Sequence, residues 1–225
     1  FDLFYKPPFA AHPNTRAARG ALRASGADGP KNCTFALHRN RRVTVTTMPR
    51  AGRCFAALDK ERPIFRGMAS DCARQQIAEA FNPAPTQLAD LPLEVISTGL
   101  KYLVVPVTGR LEQARIIKSD LEDRLKALGA EFAYLFDVER FEGRHWNNDG
   151  VMEDVATGSA AGVIGAYALK HGLVQPNRSF PLKQGHFMER PSELLVTPFG
   201  SFDDVTHITV AGEVSFVGSG DLVAP

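Results

Sequence analysis

Residues 152–170 read Met152-Glu153-Asp154-Val155-Ala156-Thr157-Gly158-Ser159-Ala160-Ala161-Gly162-Val163-Ile164-Gly165-Ala166-Tyr167-Ala168-Leu169-Lys170. From Thr157 the run predicts a helix that stops at His171-Gly172. Its small residues go all the way round instead of forming one stripe, and a helix without a polar face is buried. Ahead of it stand two carboxylates and a Thr-Gly-Ser turn. The first amides of a helix have no intrahelical acceptor, and the helix dipole adds positive potential there, so a helix start binds anions. Gly158 puts no side chain over those amides. Ser159 offers a hydroxyl to the same ligand, and Asp154 stands beside it as a candidate general acid or base. A small molecule carrying a carboxylate suits such a place. The plainer account is that Asp154 or Thr157 is only an N-cap, a position both residue types favour.

The chain around this helix is mostly strand-like. Runs over 33–38, 42–47 and 54–58 read as strands, and Val43, Val45 and Thr47 alternate with threonines as a half-buried antiparallel strand does. Helical spacing covers 69–81, and the Pro-rich stretch 82–92 reads as loop. Strands are expected over 93–97, 102–107 and 133–137, one or two helices over 111–128, and strands near 194–198, 207–210 and 213–217. A second Ala-rich segment, 13–25, has Pro early and Gly26 after it, which are helix start and stop signals. Strands, a small-residue helix and more strands thus occur twice. The expected fold class is α+β, with two similar lobes that each wrap an antiparallel sheet around a central helix.

Composition sets limits. The 225 residues are 44% hydrophobic and 23% charged with a net charge of +1, which argues against a dedicated nucleic-acid binder. The one basic run, His38-Arg39-Asn40-Arg41-Arg42, lies between two predicted strands and reads as a solvated turn. No apolar run reaches the roughly 18 residues of a membrane span, and the first residues lack the features of a signal peptide. Cys33, Cys54 and Cys72 fit neither a disulfide framework nor a zinc site, so a cytoplasmic location is expected. His186 and His207 have no partners at zinc spacing, and no metal or other cofactor is expected. Asn147-Asn148-Asp149-Gly150 reads as a tight turn.

Glu153-Asp154-Val155-Ala156-Thr157-Gly158-Ser159-Ala160-Ala161-Gly162 closely resembles the E-D-P-A-T-G-S-A-A-G signature of the PhzF-like (phenazine biosynthesis) isomerase family. The segment from Ile96-Ser97-Thr98-Gly99-Leu100 to Val105-Pro106-Val107 resembles that family's S-T-G-L-x-x-L-x-V-P-V. Gln184-Gly185 with Arg190-Pro191-Ser192 resembles its Q-G-x-x-x-x-R-P-S. The resemblance implies the diaminopimelate-epimerase-like fold: a first lobe over 1–107 with a returning strand at about 213–225, a second over 108–212, and the site between them. It implies cofactor-independent proton transfer on a small carboxylic acid, an isomerisation or epimerisation, in a homodimer. It carries Asp154 over as a catalytic residue and Thr157, Gly158 and Ser159 as substrate-binding ones. A diaminopimelate epimerase proper would need a cysteine at the head of each central helix, and neither predicted helix has one.

The first lobe departs from the family pattern. The segment Ala11-His12-Pro13-Asn14-Thr15-Arg16-Ala17-Ala18 matches G-H-x-T-x-G-A-A at His12, Ala17 and Ala18, which makes His12 a second candidate catalytic residue. Residues 1–13 equally resemble the family's opening strand, F-D-V-F-T-x-x-P-F-A-G-N-P. The family's S-E-T-x-F segment, whose glutamate is its principal acid/base, does not occur in this sequence. Three explanations stay open: residues omitted from the chain, a partner chain that supplies them, or lost activity. The alternative function is a catalytically impaired member that binds a small acid or a protein partner.

Overall fold

The computed structural model describes residues 30–36, 42–50, 53–81 and 88–214. The chain divides into two units, one of Phe1–Leu58 with Ala211–Pro225 and one of Asp59–Val210. His12, the predicted helix over 13–25 and most of the basic run lie outside the described residues.

In the first unit, alternating valine and threonine builds an antiparallel ladder. Strand β1 (Lys31–Ala36) pairs with β2 (Arg42–Arg50), and β2 pairs with β3 (Arg53–Lys60). Val43, Val45 and Thr47 of β2 are buried on one face. On the other, cross-strand pairs are hydrogen-bonded: Thr34 with Thr44 at 3.1 Å and Thr46 to Asn32 at 2.8 Å. This is the period-2 pattern expected of the sequence.

The second unit carries eight of the strands: β4 (Ile64–Met68), β5 (Glu94–Ser97), β6 (Lys101–Val107), β7 (Phe132–Asp137), β8 (Glu142–Arg144), β9 (Phe180–Gln184), β10 (Ser192–Gly200) and β11 (Val205–Val214). The last residues of β11 belong to the first unit. Between the strands, among the described residues, run three helices, α1 (Asp71–Ala80), α2 (Leu121–Ala127) and α3 (Gly158–Lys170). The sheet order is β11-β10-β9-β8-β7-β6-β5-β4. The fold class is α+β, as expected, but the sheet is mixed where an antiparallel one was expected: β6 pairs parallel with β7, and β8 parallel with β9. Helix α2 lies in the connection between the first pair and α3 in that between the second, and such crossovers are what parallel neighbours require. Six of the seven residues of β6 are buried, which accounts for its unbroken apolar run.

Helix α3 packs on one face of the sheet with Tyr102, Val104, Tyr134, Phe136, Leu182, Val196 and Ile208. On the other face Leu103, Val105 and Leu135 meet Ile77 and Ala80 of α1 and Leu121 and Leu125 of α2. The small residues of α3 let the strands come close. A Cβ on Gly165 would lie 2.7 Å from Val196 Cγ1 and 2.9 Å from Ile208 Cγ2. A Cβ on Gly162 would lie 2.9 Å from Thr98 Oγ1 and 3.1 Å from Lys60 Cγ.

Three strands, β4, β8 and β9, are additional to the sequence reading, and β8 is only three residues long. Strand β4 has no buried face, hence no alternation to read; β9 alternates but contains Pro181. The helical stretch over 111–128 resolves into a 3-10 turn at Leu111–Gln113 and α2. The two strands expected near the end are continuous in β11, which runs through Gly212 to Val214.

At the far end of α3, Glu94 of β5 accepts hydrogen bonds from Lys170 Nζ at 2.5 Å and His171 Nε2 at 2.9 Å. Cations are favoured at a helix C-terminus. Burial raises the Glu94 pKa, but the hydrogen bonds and charges of His171 and Lys170 outweigh it and hold the carboxyl below its ordinary value. A depressed carboxyl contributes stability above its unfolded pKa of about 4.3 and loses it as pH falls through the folded value. The Glu94→Gln variant is therefore expected to be less stable than wild type at pH 7. That difference shrinks on acidification below about pH 4, as denaturant midpoints at the two pH values will show. The Gly165→Val variant overfills the α3 slot, and urea unfolding is expected to show a loss of about 1–3 kcal/mol.

Candidate functional site

Strand β8 ends at Arg144, and the two acids of the Glu153-Asp154 pair come back to it across a bridge between Trp146 and Glu153. Arg144 grips Glu153 with both edges of its guanidinium, Nε to Oε1 at 2.7 Å and Nη2 to Oε2 at 2.6 Å. Its remaining nitrogen donates to the carbonyls of Leu111 at 2.6 Å and Ala114 at 3.1 Å. The guanidinium lies 4.4 Å from the Trp146 ring centre. A bidentate pair of this kind holds its partner in one orientation. Glu153 is thus committed to the framework. The turn expected at Asp149-Gly150 is present, with Gly150 N donating to Asn147 O and Val151 N to Asp149 Oδ1.

Asp154 is exposed. Its amide donates to His145 O at 2.9 Å, and its carboxylate accepts from Thr157 Oγ1 at 2.8 Å and, more loosely, from Ala156 N at 3.4 Å. Thr157 occupies the N-cap position of α3 but makes no side-chain cap; its hydroxyl is spent on Asp154. Ala161 N bonds Thr157 O at 2.9 Å, which leaves the three amides before it, from Gly158 to Ala160, without an intrahelical acceptor. The plain capping account therefore does not describe this helix start.

Buried Gln184 locks the turn in place. Its Oε1 accepts from Tyr134 Oη at 3.0 Å and from Thr157 N at 3.2 Å. Its Nε2 donates to Asp154 O at 2.6 Å and Thr157 Oγ1 at 2.9 Å. The next residue, Gly185, has φ of +79°, and a Cβ there would sit 2.4 Å from Arg190 O and 2.8 Å from Val155 O, so only glycine fits. Ser192 Oγ lies 2.5 Å from Val155 O. The β9–β10 turn thus fastens the motif from outside.

On the other side, Ser159 Oγ is 2.8 Å from Tyr102 Oη, and Thr98 Oγ1 donates to Ser159 O at 3.4 Å. The buried ring of His145 contacts Tyr102 edge-on and stacks on Tyr134. Its Nδ1 donates to Ala133 O at 3.0 Å. Burial pulls the imidazole pKa below its ordinary value, so the ring is neutral at pH 7. Burial likewise pulls the Lys60 ammonium, beside Gly162, down to about 7.

Of the residues expected at the site, Asp154, Thr157, Gly158 and Ser159 come together in one turn and helix start. His12 lies outside the described residues. The residues the sequence reading did not assign are Arg144, His145, Tyr102, Tyr134 and Gln184. Gln184 stood in the matching Q-G segment and Tyr102 at an unspecified position of the S-T-G-L segment, whereas His145 lay in an aromatic stretch with no pattern. Among the described residues there is no group of three potential metal ligands and no helix long and apolar enough to cross a membrane.

The fold is that of the epimerase-type α+β proteins. All of this chain superposes on 78% of a predicted epimerase from Pseudomonas aeruginosa, with a TM-score of 0.88 and 38% identity. Ninety per cent of it superposes on 63% of a hydroxyproline epimerase from Agrobacterium vitis, with a TM-score of 0.56 and 13% identity, a likeness of fold alone. Residues 8–220 match the model of the phenazine biosynthesis-like (PhzC-PhzF) family, and the chain belongs to that family of isomerases and epimerases. Over 223 residues, 96% of the chain, it is 25% identical to the trans-2,3-dihydro-3-hydroxyanthranilate isomerase of Pseudomonas chlororaphis, covering 75% of that protein.

Replacing Gln184 by Ala strands Thr157 N, Asp154 O and Tyr134 Oη at a buried position. The expected cost is about 3 kcal/mol in urea unfolding, since each buried group left unpaired costs roughly 1–3 kcal/mol.

Proposed function

We propose that this protein moves a proton between carbons of a small carboxylic acid, or between the two faces of one carbon, without a cofactor. The observation that carries the proposal is the pairing of the exposed Asp154 carboxylate, held by Thr157, with the uncapped start of α3 one turn away. In this reading the amides of Gly158 and Ser159 and the hydroxyl of Ser159 hold the substrate carboxylate. Their partial charges and the helix dipole stabilise the negative charge that grows toward that carboxylate as a neighbouring C–H is broken. Asp154 takes the proton from carbon, and the same or another group returns it elsewhere, so no net oxidation occurs. The name of one relative supports the reaction class: the Pseudomonas chlororaphis protein is an isomerase named for trans-2,3-dihydro-3-hydroxyanthranilate. His12 is proposed as a second catalytic group on the strength of its segment match, and a homodimer on the family resemblance. A cytoplasmic setting is proposed from the number and spacing of the cysteines in the sequence.

One observation favours a second reading. The S-E-T-x-F segment that carries the family's principal glutamate is missing from this sequence, which would suit a protein that binds an acid without converting it. Solvent-deuterium incorporation separates the two, with trans-2,3-dihydro-3-hydroxyanthranilate and trans-4-hydroxy-L-proline as probes. Exchange at carbon above background is expected for the wild-type chain, and Asp154→Asn is expected to lower it by roughly 10²–10⁴-fold. An Asp154→Asn variant with undiminished exchange would remove Asp154 from the chemistry. Absence of exchange in the wild-type chain, with either acid still bound, supports the binding protein instead.

A further inference from the structure

We infer that Tyr102 is a positioning residue for the carboxylate site: its phenol donates to Ser159 Oγ and so turns the serine's own proton outward to the ligand. The inference rests on the assignment of the α3 start as a carboxylate site. The 2.8 Å contact between the two hydroxyls fits either direction of donation. Chemistry favours the phenol as donor, because it is the more acidic hydroxyl, with a pKa of about 10. A serine hydroxyl has one proton. If that proton pointed to Tyr102, Ser159 would present only lone pairs toward the helix start and would repel an incoming carboxylate. With the phenol as donor, Ser159 becomes a third donor beside the amides of Gly158 and Ser159, and the two hydroxyls polarise one another in series.

The surroundings hold Tyr102 to this task. Its side chain is buried, and its ring packs edge-on to His145 at 5.5 Å and at a tilt to Phe132 at 5.5 Å. His145 is fixed by its bond to Ala133 O, and its own carbonyl accepts the Asp154 amide. One residue therefore braces the ring that reaches Ser159 and the backbone that carries Asp154. Tyr134, on the other side of His145, reaches Gln184 and through it Thr157.

The test uses acetate, the smallest carboxylate, titrated into the full chain while the Gly158 and Ser159 amide resonances are followed by NMR. Tyr102→Phe removes the hydroxyl and keeps the ring against His145 and Phe132, so the fold is retained. Wild type is expected to show saturable shifts at both amides. Tyr102→Phe and Ser159→Ala are each expected to raise the acetate Kd by roughly three- to tenfold, the worth of one hydrogen bond. In the Ser159→Ala background, Tyr102→Phe is expected to add nothing further to acetate binding, because the inferred effect on the carboxylate runs through the serine. If Tyr102→Phe binds acetate as well as or better than wild type while Ser159→Ala is weakened, the donation runs the other way and the inference is overturned, with the site intact. Losses that add in the double variant overturn it as well. Absence of any saturable shift in the wild-type chain removes the carboxylate site itself, and the role of Tyr102 with it.

Discussion

One planar amide holds the second unit's motif in place. Gln184 presents an oxygen that accepts twice and a nitrogen that donates twice, and all four bonds go to Tyr134, Thr157 and Asp154. The group is buried, so an unmade bond would cost the desolvation of the orphaned atom. That requirement fixes where Thr157 N sits relative to β9 and hence where α3 starts. The bond from Gln184 Nε2 to the Thr157 oxygen also leaves that hydroxyl's proton for Asp154. The uncapped helix start and the tethered carboxylate are two results of the same constraint.

The two neighbouring acids divide their labour through their partners. Glu153 meets a guanidinium in bidentate contact and is largely withdrawn from solvent, with side-chain exposures of 3% for Arg144 and 10% for Glu153. A buried pair of this kind adds little net stability, because desolvation offsets attraction, but losing either partner strands a charge. Its use is geometric: it anchors the strand return so that the next residue emerges on the open side. Asp154 meets one hydroxyl and one weak amide contact, and keeps the rest of its lone pairs for solvent or a ligand.

The sequence made the centre of the second unit legible and its margins obscure, for physical reasons. A helix of glycines and alanines has no face suited to water, so the burial of α3 follows from composition. Residues 102–107 of β6 and 132–136 of β7 are unbroken apolar runs because both faces of those strands are covered. Strand β4 lies exposed, so nothing in its side chains reports that it is a strand. Among site residues, the motif acids and Thr157, Gly158 and Ser159 were evident because backbone donors need small residues beside them. Gln184 and Tyr102 act across the sheet from other strands, and spacing along the chain says nothing about which strands become neighbours. His145 follows β8, which lies antiparallel to β7, and it meets Tyr102 only because β7 lies parallel to β6, a pairing not foreseen in an antiparallel sheet.

The glycines of α3 have a consequence for how the unit comes apart. Each interior glycine lowers intrinsic helicity by about 1 kcal/mol relative to alanine, and a helix of 13 residues is marginal alone even in good sequences. Gly162 and Gly165 therefore make α3 a helix by enclosure: it persists only while the strands around it persist. Its amides are expected to exchange with solvent through opening of the whole unit instead of local fraying. Whatever is held at its first turn then draws on, and adds to, the cooperative stability of the entire second unit.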